Sequence, residues 1–210
     1  METGKVGLSG TLRVRVKRCP GPGLMWKLRN NLRFSFIRGW LAYYLGPFLG
    51  KLLGFGTITS RLLVRVHRAN GDWINYGVVS YRVVTTAFVT ALATALHTQA
   101  SPGNLYYHAL GTSDTPGAAI GDTGMNTELT SEYNPDNTRP TGTHTSAAGV
   151  YESVGTVAID FGTPGVKEHG VMGANQGAAT LIDRHTFAVV NMAAGDSYVG
   201  TYQLTLTAGG

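Results

Sequence analysis

From Leu105 onward the chain is written as short segments rich in β-branched and aromatic residues, each cut off by Gly, Pro, Asn or Asp. Leu105 to Leu110, Thr127 to Tyr133, Val150 to Phe161, Val166 to Met172, Thr180 to Asn191 and Asp196 to Thr207 are such segments. The last alternates cleanly through Tyr198-Val199-Gly200-Thr201-Tyr202-Gln203-Leu204-Thr205-Leu206-Thr207. Successive side chains of a strand point to opposite faces, so this pattern predicts strands with one face on a core. Many short antiparallel strands separated by turn residues stack as two sheets. The expected fold is mainly β: an antiparallel β-sandwich or jelly-roll-like domain.

Upstream, Arg61-Leu62-Leu63-Val64-Arg65-Val66-His67-Arg68 and Trp73-Ile74-Asn75-Tyr76-Gly77-Val78-Val79 flank Ala69-Asn70-Gly71-Asp72. Asn-Gly at the centre of such a turn predicts a hairpin over 61–79. Val83 to His97 is the one helix expected in the body, with Phe88, Leu92, Ala95 and Leu96 at helical spacing and Pro102-Gly103 ending it. The body is therefore placed at 61–210, with that helix packed against it. Two long loops, Gly111 to Met125 and Asn134 to Gly149, are of a length that is usually functional or contacts a partner.

Residues 1–60 read as an extended N-terminal arm, basic and aromatic. Thr11-Leu12-Arg13-Val14-Arg15-Val16-Lys17-Arg18 alternates like a strand and matches 61–68 at five of eight positions, by local duplication or by chance. Leu24 to Phe55 is aromatic and basic and contains no acid. Arg38, Pro47, Lys51 and several glycines interrupt its most apolar part, so it falls short of the ~20 apolar residues of a membrane span. It also starts too late for a secretory signal. An interfacial amphipathic helix through residues 35–55 fits the composition. An arm that packs on another subunit through Trp26, Arg33, Arg38, Trp40, Tyr43 and Tyr44 fits it better, because interface cores favour these residue types.

Charge divides the chain at the same place. Residues 1–70 hold 13 basic residues and Glu2, a balance of 13 − 1 = +12, while residues 71–210 hold 4 basic and 11 acidic ones, 4 − 11 = −7. A basic arm on an acidic body attracts nucleic-acid phosphates, an anionic membrane, or the acidic body of an identical neighbour. No module for reading nucleic-acid sequence is present, so any such contact is to phosphate. Charged residues are 14 % of the chain, against about 25 % in an average domain, which suits a surface covered by neighbours. The lone Cys19 excludes an intrachain disulfide and a Cys-based zinc site, and fits folding in a reducing cytoplasm.

The densest chemistry lies in Val166-Lys167-Glu168-His169-Gly170 and Leu181-Ile182-Asp183-Arg184-His185. Adjacent Glu168 and His169 point to opposite faces of a strand and cannot converge on one metal. No third ligand is obvious, although the fold could bring His108 or His144 near. Cross-strand pairing of Glu168 with Arg184, or His169 with Asp183, makes these a structural hairpin, polar toward solvent or a neighbour, each pair contributing under ~1 kcal/mol. No nucleophile elbow and no phosphate-binding loop occurs. Asp114, Asp122 and Glu128 lack the dense spacing of a calcium loop and read as solvated acids. No catalytic residue, cofactor or metal is expected.

One further pattern covers roughly 64–210. Trp73…Tyr76-Gly77-Val78-Val79-Ser80…Arg82-Val83-Val84-Thr85-Thr86-Ala87, Tyr107-His108-Ala109-Leu110-Gly111-Thr112, Asp122-Thr123…Thr127-Glu128-Leu129, Arg139-Pro140-Thr141-Gly142-Thr143, the two stretches just described and the terminal Leu204 to Gly210 together resemble a family of tailed-bacteriophage virion structural proteins. Residues 1–60 depart from that pattern. The resemblance implies a non-enzymatic virion protein made in the host cytoplasm. Its expected role is a capsid decoration (cement) protein on the outer surface of the head, with the major capsid protein and copies of itself (a homo-oligomer) as partners. A tail or fibre protein contacting the host surface is the alternative, and a membrane-interacting protein the second.

Overall fold

The computed structural model describes residues 21–31, 34–82, 84–101, 104–162 and 164–208. The strand expected at Thr11–Arg18, Cys19, Arg33 and the Pro102-Gly103 helix stop lie outside them. Among the described residues the chain is mainly β, with two antiparallel sheets and three helices.

The Asn-Gly hairpin forms as read. β1 (Thr57–His67) pairs antiparallel with β2 (Trp73–Arg82), and Arg68 N–H donates to the Asp72 carbonyl (2.8 Å) across a turn in which Gly71 takes φ +86°. The remaining strands are β3 (Tyr107–Gly111), β4 (Thr143–Ala147), β5 (Val150–Ala158), β6 (Gly165–Met172), β7 (Leu181–Asn191) and β8 (Ser197–Thr207). One sheet has the order β2-β1-β8-β5-β4 and the other β3-β6-β7. Inward residues of both make one core: Leu62, Val64 and Val66 from β1, Val157 from β5 and Tyr198 from β8 meet Leu110 from β3, Val166 from β6, and Phe187 and Val190 from β7. Burial of each such side chain contributes about 1.5–3 kcal/mol.

Two strand expectations change. Thr127 to Tyr133 is not a strand; it touches the sheets by single bridges, Gly111 to Glu128 and Tyr133 to Ile159. Scattered contacts hold it: Leu129 N–H donates to the Leu110 carbonyl (2.8 Å), Thr112 N–H to the Thr127 carbonyl (3.0 Å), the Tyr133 hydroxyl accepts from Leu110 N–H (2.6 Å), and Leu129 is buried. Conversely β4 lies inside the expected 134–149 loop. All five of its residues are exposed, so no apolar alternation marked it.

The single helix expected at 83–97 is α3 here, Thr86–Thr98. Thr85 caps it, its Oγ1 accepting from Phe88 N–H (3.2 Å). Gln99 in the left-handed region ends it. Phe88 and Ala95 are buried and Leu92 packs beside them, whereas Leu96 faces outward. Most of the described part of the arm is helical, forming α1 (Leu24–Asn31) and α2 (Phe34–Leu53), while its last four residues open β1; three helices stand where one packed helix was expected. α1 lies against β7 and α2 against β2. Asn30 fixes that placement: fully buried, it donates Nδ2–H to the Val79 carbonyl (2.9 Å) and accepts from Ala188 N–H (3.0 Å), tying one sheet to the other.

Candidate functional site: a sealed polar core and an outward-facing apolar helix

The Glu-His and Asp-Arg pairs lie on β6 and β7, which form the expected antiparallel neighbours with His169 opposite His185 and Gly170 opposite Arg184. Strand alternation sends Glu168 and Arg184 to one side of the sheet, and His169, Asp183 and His185 to the other.

On the first side Arg184 donates Nε–H to Glu168 Oε1 (2.6 Å), one Nη1–H to Asp122 Oδ2 (2.9 Å) and one Nη2–H to the Pro116 carbonyl (3.1 Å). Glu168 Oε1 also accepts from Asn126 N–H (2.8 Å). The 112–126 loop is thereby clamped onto the sheet. Its acids are not solvated as expected: Asp122 pairs with Arg184, Glu128 with Arg139 (2.6 Å), and Asp114 lies 3.7 Å from Lys167. Acidic residues and the arginines that neutralise them were separated by more than ten residues, too far for sequence spacing to pair them.

On the second side, between the sheets, His108 Nδ1 and His169 Nε2 are 2.9 Å apart, and His108 Nε2 is 2.9 Å from Ser153 Oγ. Burial pushes His108 down to about 4. Burial, and then the neighbouring His108 and His185, lower His169 well below the ordinary imidazole range. Both rings are therefore neutral at pH 7, and their contact is one N–H facing one bare nitrogen. His185 Nε2 lies 3.3 Å from Asp183 Oδ2 without a hydrogen bond, and that oxygen accepts from the Ser60 hydroxyl. Tyr198 stacks on His169 at 5.9 Å and Tyr202 sits edge-on to His185 at 5.8 Å. Burial raises both phenols, with Asp183 adding to the effect on Tyr202.

The expected solvent-facing hairpin is thus corrected. Glu168, His169, Asp183 and Arg184 are all 1 % exposed or less, because residues 112–126 cover one face and the second sheet covers the other. Glu168 does pair with Arg184, but Asp183 pairs with Ser60 and not with His169. His108 is brought to His169, while His144 stacks on Tyr106 at the exposed sheet edge (4.9 Å). The part of this core that sequence reading missed, His108–Ser153–His169, had one local signal: Gly155 in β5, where a Cβ would overlap the His108 ring. Among the described residues no three His, Cys, Asp or Glu side chains converge as metal ligands. Within this core the links between the two sheets are His108 to Ser153 and Ser60 to Asp183, and His108, His169 and His185 are all fully buried.

The arm residues occupy a different surface. Trp26 donates Nε1–H to the Val189 carbonyl (2.8 Å) and packs edge-on against Tyr76 at 4.8 Å. Tyr43 packs on Tyr81 (5.1 Å) with Arg61 over its ring (5.7 Å). Arg38 lines a cleft of about 290 Å³ between α2 and residues 118–120, which Arg184 also reaches. Trp40 and Tyr44 pack on each other with tilted rings (5.3 Å) and are about half exposed. Arg33 lies outside the described residues.

The orientation of α2 reverses that of an ordinary surface helix. Its sheet side is Gly39, Tyr43, Gly46 and Gly50, spaced at one face of the helix, and a Cβ on Gly39 would overlap the Tyr81 backbone. Its outer side is Ile37, Trp40, Leu41, Tyr44, Leu45, Phe48, Leu49, Leu52 and Leu53, every one more than 40 % exposed. That is the spacing of a buried stripe turned toward solvent. No helix among the described residues is long and apolar enough to cross a membrane. Comparison with protein families, with curated proteins and with solved structures returns no match.

Proposed function

We propose that the protein is a virion structural subunit, a capsid decoration (cement) protein whose helix α2 is its assembly element. The observation that carries this is the outward apolar stripe of α2. A monomer seldom exposes a continuous apolar patch beyond a few hundred Å² unless something binds it, and α2 meets its own sheet through the close approach of Gly39 and Gly50 and through Tyr43 on Tyr81, leaving nine large side chains outside. The resemblance of residues 64–210 to tailed-phage structural proteins supplies the setting. A jelly-roll-like reading of the body is part of the proposal, supported by the first strand lying beside the last in the centre of the larger sheet. In this reading there is no chemical step: the histidines and carboxylates stiffen the body, and covering α2 provides the binding energy through Trp40, Tyr44 and Phe48.

The deciding experiment is quantification of the protein in purified virions. A copy number matching capsid lattice positions supports the proposal; a few copies per particle place it in the tail, and absence from virions removes it. Particles carrying Trp40→Ala lose occupancy and resist heating less well. Unchanged occupancy and heat resistance would remove α2 from the account.

A further inference from the structure

We propose that the neighbour covering α2 is a second copy of this chain, gripped at the corner formed by Glu132, Asp136, Asp160 and Phe161. This rests on the assembly role just proposed and names the partner of that surface.

The argument is one of charge left over after folding. In the body, Arg68 pairs with Asp196, Arg139 with Glu128, Arg184 with Glu168 and Asp122, and Lys167 with Asp114. Among the described residues, Glu132, Asp136 and Asp160 meet no cation, and they lie together. Asp160 N–H donates to the Glu132 carbonyl (3.2 Å), Tyr133 bridges Ile159, and Asn137 N–H closes the 130–137 loop on the Thr130 carbonyl (2.8 Å). Phe161, next to Asp160 in the chain, is 68 % exposed. The opposite surplus is on the helical segment, where Arg38 and Lys51 flank the apolar stripe of α2 and no acid occurs from 21 to 71. Each surface carries exposed aromatic residues, and their charges are complementary.

The fold keeps the two apart within one chain. α2 ends beside the start of β1, with Phe55 N–H on the Gly50 carbonyl (2.9 Å). The acidic corner adjoins the other end, where His67 pairs with Ser197 and Ser197 with Ala158. The 11 residues of β1 between them span roughly 35 Å. The surfaces can therefore meet only between copies, head to tail, giving a contact that closes into a ring or runs on as a chain.

Sedimentation of the purified full chain tests this with two blocked variants. Arg38→Glu with Phe48→Ser blocks the helix, and Asp160→Lys with Phe161→Ser blocks the corner; all four positions are exposed, and circular dichroism checks that each variant is folded. The wild type is expected to associate, each variant to be monomeric, and an equimolar mixture of the two variants to form 1:1 dimers and nothing larger. A wild type that stays monomeric up to its solubility limit, a mixture that does not pair, or a corner variant that still associates overturns the proposal. So does flotation of a monomeric wild type with anionic phospholipid vesicles that the helix variant loses, since that makes lipid the occupant. If the wild type is monomeric yet virions contain the protein, this inference fails and the assembly role stands.

Discussion

Glu168 and Arg184 show how far a residue's meaning depends on what covers it. On an open strand their pair would contribute under ~1 kcal/mol. At 1 % exposure or less each charge depends on the other, and truncating one strands its partner in a dry site. Arg184→Leu, which orphans Glu168 and Asp122, is expected to destabilise the protein by about 3–5 kcal/mol in urea unfolding. Adding Glu168→Leu should recover part of that loss, a non-additivity that a double-mutant cycle reads directly. A loss below about 1 kcal/mol would mean that the pair is wet. A smaller gain is available at the β4–β5 turn, where Ala148 sits at φ +48° before Gly149 at +77°. Alanine is strained in that region and asparagine tolerates it, so Ala148→Asn should raise the unfolding midpoint by an amount equivalent to about 0.5–1 kcal/mol. Neither effect was legible locally: the hairpin stretch showed the residue types but not their cover, and Ala148-Gly149 lacks the Asn or Asp that usually announces such a turn.

Elements were legible where apolar residues recur between turn signals, whether one face is covered, as in β1 and β8, or both, as in β6 and β7. β1, β2, β5, β6, β7 and β8 appear within a few residues of their expected positions, and the helix over 83–97 appears as α3. β4 was missed because neither of its faces is covered, and 127–133 was misread because anchoring side chains can imitate a strand's composition. α2 is the instructive case. Its residues announced an interface segment, but only the packing shows that Gly39, Tyr43 and Gly50 meet the sheet while most of the large apolar side chains face outward. That predicts a specific sensitivity: Gly39→Val should lift α2 from β2 by colliding with the Tyr81 backbone. Limited proteolysis between residues 31 and 56 should then accelerate, while the melting of the two-sheet body changes little. Unaltered cleavage would mean that α2 is not seated on β2.

At the scale of the molecule, a line of polar groups crosses the space between the sheets, and its protonation couples to folding. His108 in the folded chain titrates at about 4, below the ordinary 6.5 of an unfolded imidazole. Between those values the unfolded chain binds a proton that the folded chain refuses. The stability His108 contributes is thus complete above about pH 6.5 and falls as pH drops toward 4, by roughly 3 kcal/mol in all. His169, shifted in the same direction, steepens the loss. Urea midpoints measured from pH 7.5 down to 4.5 should show this slope, and His108→Gln should flatten it. A midpoint independent of pH across that window would mean that the rings titrate as solvated imidazoles, and one that rises as pH falls would mean that they are charged in the folded chain.

The sequence by itself determined the β class, the Asn-Gly hairpin, the pairing of β6 with β7 and the basic, aromatic character of the arm, because alternation, turn chemistry and charge are local properties of a chain. Tertiary structure alone decided that Glu168, His169, Asp183 and Arg184 are interior, and that the apolar stripe of α2 is exterior. Alternation states that a strand or helix has two different faces. What lies against each face depends on residues far along the chain: Ser60 on Asp183, His108 on His169, Asp122 on Arg184, Tyr81 on Gly39. Those contacts exist only once the sheets have closed.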